Sequence, residues 1–359
     1  MQIKRVQLKN FRNHASTVAE LSPGINVIIG DNAQGKTNLL EAIYFTCVGR
    51  GFRSPRDREA IRFGQNFAKV STTAEKSFGE ISVEITLSTA PGRTGKQVMI
   101  NQVPIAKMGE LMGSVTCVFF NPDELRLVKE SPADRRRFMD IDISQMNKVY
   151  FYNLLRYNKI LKQRNALLKG MSPKPTADEL SALDIWDEQL SAYADQIMKQ
   201  RTAFCGDLQS LAPQIHAELA EGETLSVEYE CSTWNILEKL KVAREKDLQL
   251  RTTTVGPHRD DILLKLDGKD VRLFASQGQQ RSVALSLKIA ELKIFERATG
   301  EKPILLLDDV LSELDAHRQA RLFKLIDGWQ CIITATAFDK SLAPTAKIFK
   351  IKDGKLFIS

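Results

Sequence analysis

The run Gly30-Asp31-Asn32-Ala33-Gln34-Gly35-Lys36-Thr37 restricts this chain more than any other stretch. It fits G-x-x-x-x-G-K-[ST], a loop that has to join a buried strand to the amino end of a helix. Both flanks are present. Ile25 to Ile29 is a short apolar run that reads as a buried strand. Asn38 to Val48 reads as a helix with Leu40, Ile43 and Cys47 along one face. Backbone N–H groups at a helix start point outward, and the helix dipole favours anions there. Gly30 and Gly35 let the backbone approach phosphate closely. Lys36 would reach the β and γ phosphates, and Thr37 would hold Mg²⁺ through its hydroxyl. A glycine turn that carries Lys-Thr by accident is the weaker reading.

A second run completes such a site. Ile304-Leu305-Leu306-Leu307 reads as a buried strand that delivers Asp308-Asp309 at its carboxyl end, where open α/β sheets bind ligands. Asp308 is the candidate Mg²⁺ ligand. Asp309 is the candidate group to orient or deprotonate an attacking water. A third run, Ser276-Gln277-Gly278-Gln279-Gln280, opens a helix. On its own Ser276 reads first as an N-cap. A serine and a glycine at a helix start also make an anion site, one that is surplus for a single nucleotide unless two subunits share two nucleotides. Ser312-Glu313-Leu314-Asp315 follows as a short loop before another helix.

Between these runs the texture changes twice. Residues 1–130 read as mainly strands around the P-loop helix; Ile81, Val83, Ile85 and Leu87 alternate with polar neighbours as in a half-buried strand. From Ser131-Pro132, an N-cap with proline at the first helical position, residues 131–254 read as a helical lobe. Ile143, Met146, Tyr150, Leu154, Tyr157 and Leu161 predict one long helix face, and Leu180 to Ile197 a second helix packed against it as an antiparallel hairpin. A further helix is expected to end near Pro213, and another to span Ile236 to Leu250. Residues 255–359 return to α/β texture, with hairpin signals at Asp267-Gly268 and Asp353-Gly354.

A chain of 359 residues, 43% hydrophobic, has ample material for such a two-lobe fold. Lys and Arg exceed Asp and Glu by 51 to 44, a net charge of +7 that suits an anionic partner. Arg50, Arg53, Arg56, Arg58 and Arg62 form one basic loop and Arg135-Arg136-Arg137 a second cluster; either could grip phosphates or simply be solvated or ion-paired. Five dispersed cysteines and four separated histidines give no disulfide or metal pattern, which favours reduced thiols in a cytoplasmic protein. No apolar run approaches the ~20 residues of a membrane helix.

Taken together, these runs resemble the ABC-type ATPases of the SMC and DNA-repair branch. The order is P-loop, helical insertion, S-x-G-Q helix, apolar-Asp-Asp and S-x-L-D. Several runs are closer still to the RecF family: Leu8 to Asn13, Gly35 to Tyr44, Pro122 to Phe138, Leu161 to Asn165, Gly256 to Asp261, Ala275 to Arg281 and Leu306 to Asp315. The resemblance implies an ABC-type α/β ATPase lobe with a mixed or parallel sheet, and an inserted helical lobe without a long coiled coil. ATP would close two subunits head to tail, with Ser276, Gly278 and Gln279 of one capping the γ-phosphate held by Lys36 of the other. Ser312 and Asp315 would form the loop between the two sites. The closed homodimer would clamp gapped or junction DNA and act with RecR and RecO to load RecA. Arg12, Asn32, Asn38 and Asn121 to Asp123 carry over as neighbours of the nucleotide. Asp309 stands where transporters carry Glu, and Thr334-Ala335-Thr336 where they carry a histidine, so hydrolysis is expected to be slow. Ala33 replaces a glycine common in relatives. The competing readings, a transporter's nucleotide-binding subunit or a small-molecule kinase, leave the helical insertion or the Ser276 run without a use.

Overall fold

The computed structural model describes residues 1–54, 56–92, 94–172, 174–231 and 235–358. The Asp123 side chain, and Arg93 within the expected turn from Pro91 to Gly95, lie outside them. The first strands, β1 (Gln2–Phe11) and β2 (His14–Glu20), form an antiparallel hairpin. Strand β3 (Ile25–Ile29) runs into the P-loop and helix α1 (Lys36–Val48). Strands β4 (Phe67–Lys76), β5 (Gly79–Ser88), β6 (Gly95–Ile100) and β7 (Val103–Pro104) extend the first sheet in the order β2-β1-β4-β5-β6-β7. Strand β8 (Cys117–Phe120) enters a different sheet.

The helical lobe follows: α2 (Arg126–Lys129), α3 (Pro132–Met146), α4 (Lys148–Gly170) and α5 (Ala177–Leu219). The expected continuous face from Ile143 to Leu161 is broken at Asn147. Its side chain accepts hydrogen bonds from Val149 N and Tyr150 N, at 2.9 and 3.2 Å, and so caps a new helix instead of continuing the old one. The opposite error occurs at Pro213, where a helix end was expected. One 43-residue helix runs through it, about 65 Å long. Leu211, Ala212, Ile215 and Leu219 around the proline are all buried, and their packing outweighs the roughly 3 kcal/mol that an interior proline costs. The expected helix from Ile236 to Leu250 is two, α6 (Ile236–Val242) and α7 (Arg244–Leu250), split at Ala243.

Strand β9 (Leu225–Glu230) pairs antiparallel with β10 (Asp261–Leu266), which turns into β11 (Lys269–Asp270). This small sheet therefore straddles position 254. After α8 (Val271–Phe274), α9 (Gln277–Thr299) leads to β12 (Ile304–Asp308), α10 (Ala316–Leu325), β13 (Cys331–Ala335), β14 (Lys347–Lys352) and β15 (Lys355–Ile358).

The central sheet has the order β15-β14-β3-β13-β12-β8; every neighbour pair in it is parallel except β14–β15. Strands β3, β13, β12 and β8 are buried on both faces, which is why their segments are almost wholly apolar, whereas β14 and β15 at one end of the sheet alternate or stay exposed. Ile28, Ile304, Leu306 and Ile332 point to a core shared with α1 and the antiparallel sheet. Val27, Leu305, Leu307 and Ile333 point to a second core with α3, α5 and α9. Buried ion pairs tie the helical lobe together. Arg164, fully buried, meets Asp187 and Asp247 at 2.6 and 2.7 Å. Arg135 meets Asp261 at 2.6 Å, so this member of the second arginine cluster is a structural cross-link to β10.

Candidate nucleotide site

The P-loop is held by groups that lie far away in sequence. Gly35 has φ +112°, and a Cβ there would sit 2.7 Å from the Asn13 amide, so both conformation and space demand glycine. Gly30 is equally confined: a Cβ would lie 2.6 Å from the Ile351 carbonyl oxygen on β14. Asn13 donates to the Gln34 carbonyl at 3.0 Å and accepts from Asn38 at 2.8 Å, bracing the loop from outside. Buried His14 contacts the Gly35 carbonyl through Nε2 at 3.1 Å. Its pKa is lowered by burial, partly offset by its contacts with the Gly35 and Gly354 carbonyls. The Gln34 side chain accepts from Asp353 N at 2.7 Å, and the Gln34 carbonyl from Gly354 N at 3.0 Å, so the last hairpin clasps the loop.

Within this frame Lys36 is buried, and its ammonium donates to the carbonyls of Gly30 and Asp31 at 2.5 and 3.0 Å. An ammonium has three donors, so a third remains for an anion in the loop. The strand order β3-β13-β12 places Thr334 of β13 between the P-loop and the aspartates of β12. Thr37 Oγ1 donates to Asp308 Oδ1 at 2.8 Å, and Thr334 Oγ1 donates to the same atom at 2.7 Å. Burial raises the Asp308 pKa, against which these two hydroxyls and the Arg53 charge act. Asp309 is held in a left-handed conformation, φ +53°, by its N–H, which donates to Thr334 Oγ1 at 3.0 Å and to the Thr334 carbonyl at 3.2 Å. Its Oδ1 is buried and has no hydrogen-bond partner. A buried acceptor left open in a residue with positive φ is a marked feature of this strand end.

These groups face a cavity of about 100 Å³ lined by Asp31, Asn32, Ala33, Gly35, Lys36, Thr37, Asn38, Arg53 and Asp309. Arg53 is the member that the sequence left unassigned, one arginine among five in its loop. It donates to Asn38 Oδ1 at 2.8 Å. Arg12 does not line this cavity. Its guanidinium is bidentate to the fully buried Glu41, at 2.8 and 2.9 Å, and donates to the Glu59 carbonyl. Glu41 also accepts from Arg53 N at 3.3 Å, so Arg12 braces the start of the arginine loop. Asn121 lines a neighbouring cavity of about 270 Å³ that also includes Arg53.

The Ser276 run lies apart. Ser276 is the N-cap of α9: Ser276 Oγ accepts from Gln279 N at 3.3 Å, and Gln279 Oε1 accepts from Ser276 N at 2.8 Å. Ser276 and Gln277 are exposed, and Gly278 is half-buried, beside Arg318. Arg281 of the same helix pairs with Glu313, between Ser312 and Asp315, and so ties this helix start to the loop after β12. Ser312 donates to the Asp309 carbonyl at 2.8 Å, and Asp315 caps α10 by accepting from Arg318 N at 2.9 Å.

The donor set at Thr37 and Asp308 fits a hard cation. Mg²⁺ is typically bound by one or two protein oxygens, with waters and substrate phosphates completing its shell. Among the described residues no group of three or more His, Cys, Asp or Glu could hold a metal ion. A P-loop after one strand of a parallel sheet, an aspartate pair two strands away and a separate Ser-x-Gly-Gln helix start define an ATP-binding protein of the ABC type. The model for the RecF/RecN/SMC N terminal domain matches residues 2–353. The DNA replication and repair protein RecF of Agathobacter rectalis is 42% identical over 362 residues, covering 99% of both chains. Its namesake from Lachnoclostridium phytofermentans is 39% identical over 360 residues with the same coverage. A solved structure of the recombination mediator protein RecF with ATP, from the RecFOR pathway, superposes with a TM-score of 0.90 at 34% identity, covering 100% of this chain and 97% of that one. An Smc head bound to the C-winged helix domain of ScpA, 17% identical with a TM-score of 0.61 over 100% of this chain and 97% of that one, shares the fold. The chain belongs to the RecF family of DNA replication and repair proteins.

Proposed function

We propose that the protein is an ATP-switched DNA clamp of recombinational repair that works as a head-to-tail homodimer. Lys36, with the P-loop amides from Asp31 to Asn38, holds the triphosphate of one subunit. Thr37 and Asp308 hold Mg²⁺, which would neutralise charge on the β and γ phosphates. Ser276, Gly278 and Gln279 of the other subunit close on the γ-phosphate, and Ser312 and Asp315 line the seam. Asp309 accepts a hydrogen bond from the attacking water through its open Oδ1, and slow hydrolysis releases the dimer. The closed form holds gapped or junction duplex and, with RecR and RecO, assists loading of RecA.

One observation carries this reading. The cavity at the P-loop is lined without any residue of the Ser276 run, whose helix start is open at the surface of the same chain. An anion site with no phosphate of its own in reach has a use when a second copy supplies one. No described helix is long and apolar enough to cross a membrane. Sedimentation velocity of the pure protein tests the proposal. A monomer without nucleotide should become a dimer with ATP, and the dimer should co-sediment with gapped duplex. A species unchanged by ATP would exclude it.

A further inference from the structure

Two arginine groups far apart in sequence meet in space. The loop after α1 supplies Arg50 and Arg53, and the segment α2–α3 supplies Arg126, Arg136 and Arg137. With Arg201 of α5 they line a cleft of about 600 Å³ between the ATPase lobe and the helical lobe. The carboxylate among its lining residues is Asp140, already engaged by Arg201 at 2.8 Å and by the Tyr150 hydroxyl at 2.5 Å.

Structure accounts for some of these arginines and not for others. Arg201 is buried and also donates to the Pro257 carbonyl at 2.6 Å. Arg136 donates to the Asp260 carbonyl at 2.7 Å, and Arg126 pairs with Glu130 at 3.6 Å. Arg50 and Arg137 are exposed at the cleft and make no ion pair among the described residues. Burial first, then the charge of Arg201, lowers the Arg136 pKa in spite of three nearby aspartates. The fold thus concentrates uncompensated positive charge in a concavity, which attracts anions.

The shape narrows the anion. Guanidinium groups match phosphate bidentately, and several of them suit a ligand with more than one phosphate. About 600 Å³ is typical of a small-ligand pocket and holds about one or two nucleotides, but not a duplex. The inner surface carries the buried Arg201 with its Asp140 partner beside aromatic rings. Phe52 and Tyr157 line it, and His258 has its pKa pushed down by burial to about 4, so it is neutral. An open basic groove too narrow for a duplex matches a single strand, which it would hold by its phosphates.

We propose that this inter-lobe cleft binds a single-stranded nucleic-acid segment or strand end, with Arg50 and Arg137 on its phosphates. The proposal rests on the DNA-binding reading above and adds a site distinct from the P-loop. Arg53 lines both the cleft and the P-loop cavity, so strand and nucleotide share one side chain.

The test compares the full chain with Arg50→Glu/Arg137→Glu, and with the milder Arg50→Gln/Arg137→Gln should the first fold poorly. Fluorescence anisotropy follows a short labelled oligothymidylate across a salt series. Affinity should fall at least about tenfold, and the slope of log K against log salt should decrease by about 1.4, the share of two phosphates. Binding of ATP and of duplex in the presence of ATP should hold. Unchanged oligonucleotide affinity in a variant, with wild-type DNA binding intact, would overturn the cleft alone. Wild-type protein that binds neither strand nor duplex would overturn the DNA-binding reading and this proposal with it. Titration with inorganic pyrophosphate distinguishes the source of phosphate. If the substitutions abolish pyrophosphate binding and leave the oligonucleotide untouched, the cleft serves a small phosphate compound and the proposal falls.

Discussion

The two helix starts that the proposed function assigns to the triphosphate, those of α1 and α9, are built in opposite ways. Helix α1 starts at Gly35, which has no side chain to cap it, and its first turn carries no acidic residue. The amides are left open and the loop around them is clamped by Asn13, His14 and the β14–β15 turn. Helix α9 starts at Ser276 with a reciprocal capping box, which satisfies the N–H groups of Ser276 and Gln279. Under the proposed function the first end is the one committed to phosphate, strained at Ala33 and clamped from outside. Under the same reading the second meets an incoming anion with the N–H groups of Gln277 and Gly278, which the box does not use, and can add that of Gln279 by giving up its bond to Ser276. The 3.3 Å bond from Gln279 N to Ser276 Oγ is the long one and the cheaper to give up. Under the proposed function, one end stores the nucleotide and the other samples it, which is how a binding event becomes a reversible dimer.

The largest effect that probes this division falls on hydrolysis. Asp309→Asn keeps the size of the side chain and removes its basicity. ATP turnover should fall about 10²–10⁴-fold while ATP binding stays. The ATP dimer should then persist on a sizing column for longer than that of the wild type. Turnover at the normal rate would remove Asp309 from the chemistry. Next comes Lys36→Ala. The ammonium spans the mouth of the committed end, and its loss should weaken ATP at least about 10- to 100-fold, read by titration with a fluorescent analogue. Unaltered affinity would mean that the P-loop amides suffice. Ser276→Arg addresses the other end. The monomer should bind ATP with its usual affinity, since no Ser276 atom lines the P-loop cavity, yet ATP should no longer drive dimerisation. An ATP-dependent dimer that survives this change would break the contrast.

The committed end was far easier to read from sequence than the sampling end. Glycine spacing, Lys-Thr and the apolar flanks are local signals, and local geometry is what the P-loop needs. The buried Leu306 and Leu307 before Asp308 gave the second strand for the same reason. Asn13, His14 and Arg53 carry no such signal, because their roles depend on β2, α1 and the arginine loop meeting in three dimensions. Arg12 was carried over by motif, and its pairing with the buried Glu41 is a contact that no local pattern announced. In the helical lobe, Asn147 and Pro213 misled in opposite directions. A polar cap can break an apolar stripe, and burial of Leu211 to Leu219 can carry a helix through a proline. The cleft arginines were visible as clusters, but whether they pair or stay free was not. Arg135 is spent on Asp261, and its neighbour Arg137 is not.

The smallest effect isolates strain in the committed end. Ala33 sits at φ +65°, a left-handed conformation in which its Cβ costs about 1–2 kcal/mol. Glycine there escapes that cost but adds freedom to the unfolded chain, worth about 0.4–1 kcal/mol in the other direction. Ala33→Gly should therefore stabilise the protein by roughly 0.5–1 kcal/mol, a rise of about 2 °C in the thermal midpoint without nucleotide. The rest of the loop already fixes the backbone through Asn13 and the last hairpin, so ATP affinity should change by less than about twofold. A lower midpoint would show that the methyl group makes a stabilising contact which outweighs the strain. A marked loss of ATP affinity would show that the loop relies on Ala33 for its rigidity, and that the clamp around it is looser than the hydrogen bonds imply.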